Sequence, residues 1–304
     1  MSSGQLRAIV LGVIALLCAW GVSELLSRRS DTTTATLSLG VPAVAQVDAV
    51  TITKGADTVA LVKGPSGSWS VNGLAAATPR VNELLQALRD STTPELAAES
   101  PSSFQRMGVD SAAGRSLRVA SGGKTLATVI VGNRGATPDA AYVRVPGDSR
   151  VYLWRGGLAG YAERKLDDWR DREVAPVPTD SIASLDIRRG KERYTLERSG
   201  ATWTLPGRRP TDSSAVALLL GTLHNLSAVG FATDRQVDSL KHARPQRSLT
   251  LKRAGGAVLL DLVFDSTSGA FWARRADQPT VYRLDFWQVD RITPSASTLA
   301  RPTK

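Results

Sequence analysis

The feature that most constrains this chain is an internal repeat. Val50, Ile52, Leu61, Val81, Leu84, Leu85 and Leu88 recur as Leu185, Ile187, Leu196, Val216, Leu219, Leu220 and Leu223, every pair 135 residues apart. Trp69 and Trp203 stand 134 apart, Arg115-Ser116-Leu117 and Arg247-Ser248-Leu249 stand 132 apart, and Val151-Tyr152 and Val281-Tyr282 stand 130 apart. A slow drift of this kind is what small loop deletions produce. A repeat also decides the architecture before local propensity does, so the 304 residues divide into two related units of ordinary domain size.

Within a unit the hydrophobic period changes along the chain. Alternation at Val50 and Ile52, then at Val59 and Leu61, with Lys54-Gly55 between, predicts a hairpin with one buried face. Trp69 and Val71 suggest a third short strand. Thr78 as a cap and Pro79 in the first turn open a helix whose Val81, Leu84, Leu85 and Leu88 form one stripe. In the second copy Thr211 or Asp212 is the cap. Four more strands follow, around Leu117 to Val119, Leu126 to Val131, Tyr142 to Val145 and Val151 to Trp154, punctuated by Gly122-Gly123, Gly132-Asn133 and Pro146-Gly147. Their second-copy counterparts are Leu249 to Lys252, Val258 to Phe264, Phe271 to Arg274 and Val281 to Leu284. The expected class is α+β: two duplicated units at 47–174 and 180–294, each a mainly antiparallel sheet with one packed amphipathic helix. Val174-Ala175-Pro176-Val177-Pro178 would be an extended connector, and 295–304 a tail.

Ahead of the repeat, Ala8 to Val22 is an unbroken apolar run, and Leu6 to Leu26 is long enough to span a bilayer with Ser23 and Glu24 near one interface. Residues 1–26 therefore read as a transmembrane anchor, with a cleaved signal as the alternative. Trp20 would sit at the interface, and 27–46, rich in Ser and Thr, would be a flexible stalk. Arg7 on one side and Arg28-Arg29 on the other leave orientation close to a tie. The one cysteine, Cys18, lies inside the apolar run, which excludes an intrachain disulfide and a cysteine zinc site.

The net charge is +10, and its distribution is uneven: +1 over 1–46, +2 over 47–174 and +7 over 175–304. The basic residues of the last part come in short clusters beside turn formers: Arg188-Arg189 with Lys191, Arg208-Arg209, Lys252-Arg253 and Arg274-Arg275. They read as solvated hairpin ends. No basic helix or groove with interleaved aromatics occurs, so nucleic acid is not an expected partner.

The Ile52 to Trp69 hairpin, Val131-Gly132-Asn133, Tyr142-Val143-Arg144, Val151-Tyr152-Leu153 and the closing Trp169-Arg170-Asp171-Arg172 resemble the bacterial family known as domain of unknown function 4340, over about 47–290. The second copy echoes the closing motif only loosely, in Trp287, Asp290 and Arg291. The resemblance implies a protein anchored in the bacterial inner membrane with its bulk extracytoplasmic, in the setting of gliding-motility-type ABC transporter subunits. It carries over no catalytic residues.

The residues themselves supply no convergent chemistry. Gly156-Gly157-Leu158-Ala159-Gly160 lacks a P-loop lysine, and Gly132-Asn133-Arg134-Gly135 does not precede a helix. Asp167, Asp168, Asp171 and Glu173 have Arg170 and Arg172 at ion-pair spacing. His224 ends the second helix stripe, and His242 stands among Lys241, Arg244 and Pro245. Trp69 and Trp203, with Trp154, Trp169, Trp272 and Trp287, read as core anchors. No cofactor, metal or catalytic residue is expected. The expected function is a non-catalytic, membrane-anchored accessory or scaffold of an ABC-type envelope transport assembly. The alternative is a module that holds an anionic lipid or glycan between the two units, and a hydrolase is third. The one candidate contact surface is Phe271, Trp272, Arg274 and Arg275.

Overall fold

The computed structural model describes residues 43–89, 94–241, 244–267 and 269–301. The proposed anchor, Trp20, His242 and nearly all of the stalk lie outside the described residues, and none of the described helices is long and apolar enough to cross a membrane. The chain divides between Leu166 and Asp167 into two compact units.

The first unit is one nine-stranded antiparallel sheet. Its strands are β1 (Ala49–Lys54), β2 (Asp57–Lys63), β3 (Trp69–Val71), β4 (Leu74–Ala75), β5 (Glu95–Ala98), β6 (Arg115–Ser121), β7 (Lys124–Arg134), β8 (Ala140–Arg144) and β9 (Val151–Arg155). Their spatial order is β4-β3-β2-β1-β6-β7-β8-β9-β5. Among its described residues the helices are α1 (Thr78–Arg89), α2 (Phe104–Met107) and α3 (Leu158–Ala162), and one further short helix, Leu166–Trp169, straddles the boundary between the units.

The second unit repeats this with β10 (Ser184–Arg189), β11 (Glu192–Ser199), β12 (Thr202–Leu205), β13 (Arg209–Pro210), β14 (Gly230–Phe231), β15 (Arg247–Lys252), β16 (Val258–Thr267), β17 (Ala270–Arg275) and β18 (Val281–Leu284). The order is β13-β12-β11-β10-β15-β16-β17-β18-β14. Adding nine to each label of the first sheet reproduces the second, so the duplication read from the sequence is a duplication of topology. Its helices are α4 (Ser213–His224), α5 (Asp234–Lys241), α6 (Phe286–Ile292) and α7 (Ala296–Leu299).

Alternation builds the closed face of each sheet. In β10 Leu185 and Ile187 point inward, opposite Leu196 and Tyr194 of β11 and Leu251 and Leu249 of β15. These residues share one core with Val216, Leu219 and Leu223 of α4, Val289 and Ile292 of α6, and Leu299 of α7. Each fully buried aliphatic side chain contributes about 1.5–3 kcal/mol. Asp212 is the cap of α4, where its Oδ1 accepts from the amides of Ser214 at 2.8 Å and Ala215 at 3.1 Å. In the first unit Val81, Leu84, Leu85 and Leu88 of α1 are all buried, whereas Leu220 of α4 is only partly so.

Several details differ from the expectation. Gly132-Asn133 is not a turn: β7 runs on to Arg134, and its register with β8 shifts between Val131 and Arg134. At the shift Gly132 packs against the Met107 carbonyl at the end of α2, where a Cβ would collide. Val174 and Ala175 are buried in the second core, and the Val174 amide donates to the Leu226 carbonyl at 2.9 Å. The end of the second copy keeps a helix in place, since α6 follows β18 as α3 follows β9. Of the tryptophans expected in the core, only Trp287 is 51% exposed.

Candidate functional site

The second sheet has an outer face whose composition its closed face does not explain. Because Leu185 and Ile187 point inward, Asp186 and Arg188 point outward. The register then lines up a row across six strands: Arg193 of β11, Arg188 of β10, Ser248 of β15, Val263 of β16, Arg274 of β17 and Val281 of β18. Two residues along lies a second row, Thr195, Asp186, Thr250 and Asp261.

At its β18 end the first row is covered, since Leu240 of α5 packs with Trp272 and Val281. At the other end it opens into a shallow depression of about 470 Å³ lined by Arg188, Arg193, Asp186, Thr195, Ser248 and Thr250.

The charges in the depression are not equally satisfied. Asp186 accepts from the Thr195 hydroxyl at 2.7 Å and pairs with the Lys252 ammonium at 2.6 Å. Burial pushes its carboxyl up, and the Lys252 and Thr195 hydrogen bonds with the Lys252 charge outweigh this, so the group lies below its ordinary value. Asp261 accepts from the Thr250 hydroxyl at 2.8 Å. Arg188 donates to the Pro245 carbonyl at 2.8 Å. Among the described residues neither Arg188 nor Arg193 has a carboxylate partner, although the two are directly opposite each other across β10 and β11. Like charges so placed destabilise a sheet.

The first unit carries the same row as Thr58, Thr53, Ser116, Ile130 and Arg144. Serine answers serine, isoleucine answers valine and arginine answers arginine. The change in chemical character falls on the first two positions, from a pair of threonines to a pair of arginines. Arg144 is held by the Val109 carbonyl at 3.1 and 3.2 Å and lies 4.2 Å above the Phe104 ring. Arg274 is held instead by Asp265 Oδ2, at 2.8 and 3.2 Å.

Strand alternation splits the candidate contact residues. Phe271 and Arg275 lie on the inner side, Phe271 in the core with its ring 4.9 Å from that of Phe286. Arg275 bonds Asp277 at 2.6 Å and the Val174 carbonyl at 3.3 Å. Trp272 and Arg274 lie on the outer side, with Trp272 buried beneath α5. The acidic group shows the expected pairs, Arg170 with Asp167 at 3.2 Å and Arg172 with Asp168 at 3.7 Å. Asp171 accepts from the Glu173 amide at 3.0 Å. His224 is the exposed last residue of α4. Among the described residues no three metal-ligating side chains converge.

Composition and clustering do not single out Arg193, and they place Arg188 with the hairpin-end charges. The available signal was the repeat offset combined with alternation: subtracting 135 places Thr53 and Thr58 at these positions.

The family model described as Domain of unknown function (DUF4340) matches residues 69–248, a span that runs through parts of both units. No curated protein and no solved structure matches the chain.

Proposed function

The chain belongs to the domain of unknown function 4340 family, and from that premise we propose that it acts without catalysis, as a tethered extracytoplasmic accessory or scaffold of an ABC-type envelope transport assembly. The observation that carries this reading is the duplicated sheet. In the second unit helices close the inner face, while the central strands keep an outer face of alternating polar and charged rows. A surface of that kind suits contact with a partner more than enclosure of a reacting substrate. The Leu6 to Leu26 stretch supplies the tether in this reading.

Two measurements test it. In sealed inner-membrane vesicles of defined orientation, protease should reach the two units only from the extracytoplasmic side. Affinity purification from solubilised membranes at normal expression should recover an ABC ATPase or permease subunit. Cleavage from the cytoplasmic side refutes the placement, and recovery of no transporter subunit refutes the assembly.

A further inference from the structure

We propose that the open end of the outer row in the second unit, Arg193, Arg188 and Ser248, is a binding site for a phosphomonoester. It stands independently of the tether and the transport setting, because it rests on the sheet register, the depression above it and the comparison with the sister unit.

Three observations converge. The two arginines occupy neighbouring strands, with Ser248 on the next, so three donors lie in line within two inter-strand spacings of about 4.8 Å each. A depression opens over them. The sister unit has threonines at both arginine positions in the same register, with Ser116 in the place of Ser248, so the fold stands without the guanidinium pair.

The chemistry narrows the ligand. A carboxylate has two oxygens, which a single guanidinium fork already satisfies. A phosphomonoester has three terminal oxygens and up to two negative charges, which match the Arg193 fork, the N–H donors that Arg188 does not give to the Pro245 carbonyl, and a hydroxyl. The second row sets an upper limit on ligand size. Asp261 lies in that row, which runs two residues or about 6.8 Å along the strands from the first, and it repels a polyanion laid across the sheet. Asp186 is neutralised locally by Lys252, so it does not quench the arginines. A single compact phosphate group fits between these limits, and a nucleic-acid backbone does not.

The phosphate can come from a soluble ester or from a lipid headgroup, and the test separates these sources. The full chain is reconstituted in phosphatidylcholine nanodiscs and titrated with glycerol 3-phosphate by calorimetry. In discs carrying phosphatidic acid, protection of Arg193 from phenylglyoxal is read by mass spectrometry without soluble ligand. The key variant is Arg188→Thr/Arg193→Thr, which installs the sister unit's residues; Arg208→Thr/Arg209→Thr makes the same charge change at the β12–β13 hairpin. The first variant should fold with a thermal midpoint equal to or above the parent's and lose at least about tenfold in affinity, the loss of one charge-assisted hydrogen bond. The second should bind as the parent does. Calorimetric binding with this pattern assigns a soluble ester; protection confined to the phosphatidic acid discs, and no heat, assigns a lipid headgroup. Absence of both signals, or equal loss in the two variants, overturns the site.

Discussion

Replacing Arg274 by alanine tests how the outer face is held. Asp265 lies on β16 with its side chain 3% exposed, and Arg274 is its ion-pair partner among the described residues. Both guanidinium bonds fall on Oδ2, at 2.8 and 3.2 Å, while Oδ1 has no hydrogen-bond partner among the described residues. Arg274→Ala therefore leaves a buried carboxylate without compensation, a change that costs about 3–5 kcal/mol. Arg274 is itself 26% exposed, so water already screens part of the pair and the lower end applies, about 3 kcal/mol. For a unit spanning Asp167–Lys304, that corresponds to a fall of roughly 10–15 °C in its thermal midpoint.

Denaturant titration followed by tryptophan fluorescence and circular dichroism reads the loss as a lower midpoint at unchanged slope. The double variant Arg274→Met/Asp265→Leu separates the explanations. If the cost is the orphaned charge, replacing both partners with apolar groups should bring stability back to within about 1 kcal/mol of the parent. A single variant that costs less than about 1 kcal/mol, or a double variant no more stable than the single, refutes the reasoning.

Two further outcomes follow from local geometry. Gly132→Ala should destabilise the first unit by about 1–3 kcal/mol, because its Cβ runs into the Met107 carbonyl and the Val109 side chain; a thermal midpoint equal to the parent's in the first unit's transition counts against the close approach. Stability should also fall in acid. Asp277 is held below its ordinary value chiefly by the Arg275 hydrogen bond and Asp148 by that of Arg150, and Asp186 lies low as well. The folded state lowers these groups, so their contribution is complete above about pH 4 and fades as pH drops toward the folded-state values. Urea midpoints flat between pH 5 and 7 and declining below pH 4 are expected; a decline that starts near pH 6 contradicts this assignment.

The elements legible in the sequence were those whose burial is periodic. Val50 and Ile52 alternate, α1 and α4 carry apolar stripes, and the 135-residue offset tied the two halves together. The short edge strands β4, β5, β13 and β14 were not, because two to four residues with partly exposed side chains leave no period to count. Helix α5 was missed for a related reason. It lies on the outer face and buries little beyond Leu240, so its apolar pattern is thin. Arg274 and Arg275 looked like one basic cluster in sequence, but alternation sends them to opposite sides of β17 and gives them different carboxylate partners. Neighbouring cations in a strand are not neighbours in space.

The same principle changes the meaning of the +7 charge in the second part of the chain. Several of the basic residues there are held by carboxylates that the sum already counts, so these pairs leave the excess itself untouched: Arg189 and Arg247 meet Asp290, Lys252 meets Asp186, Arg274 meets Asp265 and Arg275 meets Asp277. Arg188 and Arg193 are different. Opposed like charges across a strand pair destabilise it by a few tenths of a kcal/mol up to about 1, whereas threonine at both positions is a good strand former. The first unit makes that choice at Thr53 and Thr58 within the same topology. Folding alone therefore favours threonine, so two arginines held there against that preference point to a requirement outside the fold, and an anion placed between the guanidinium groups would turn their mutual repulsion into shared attraction.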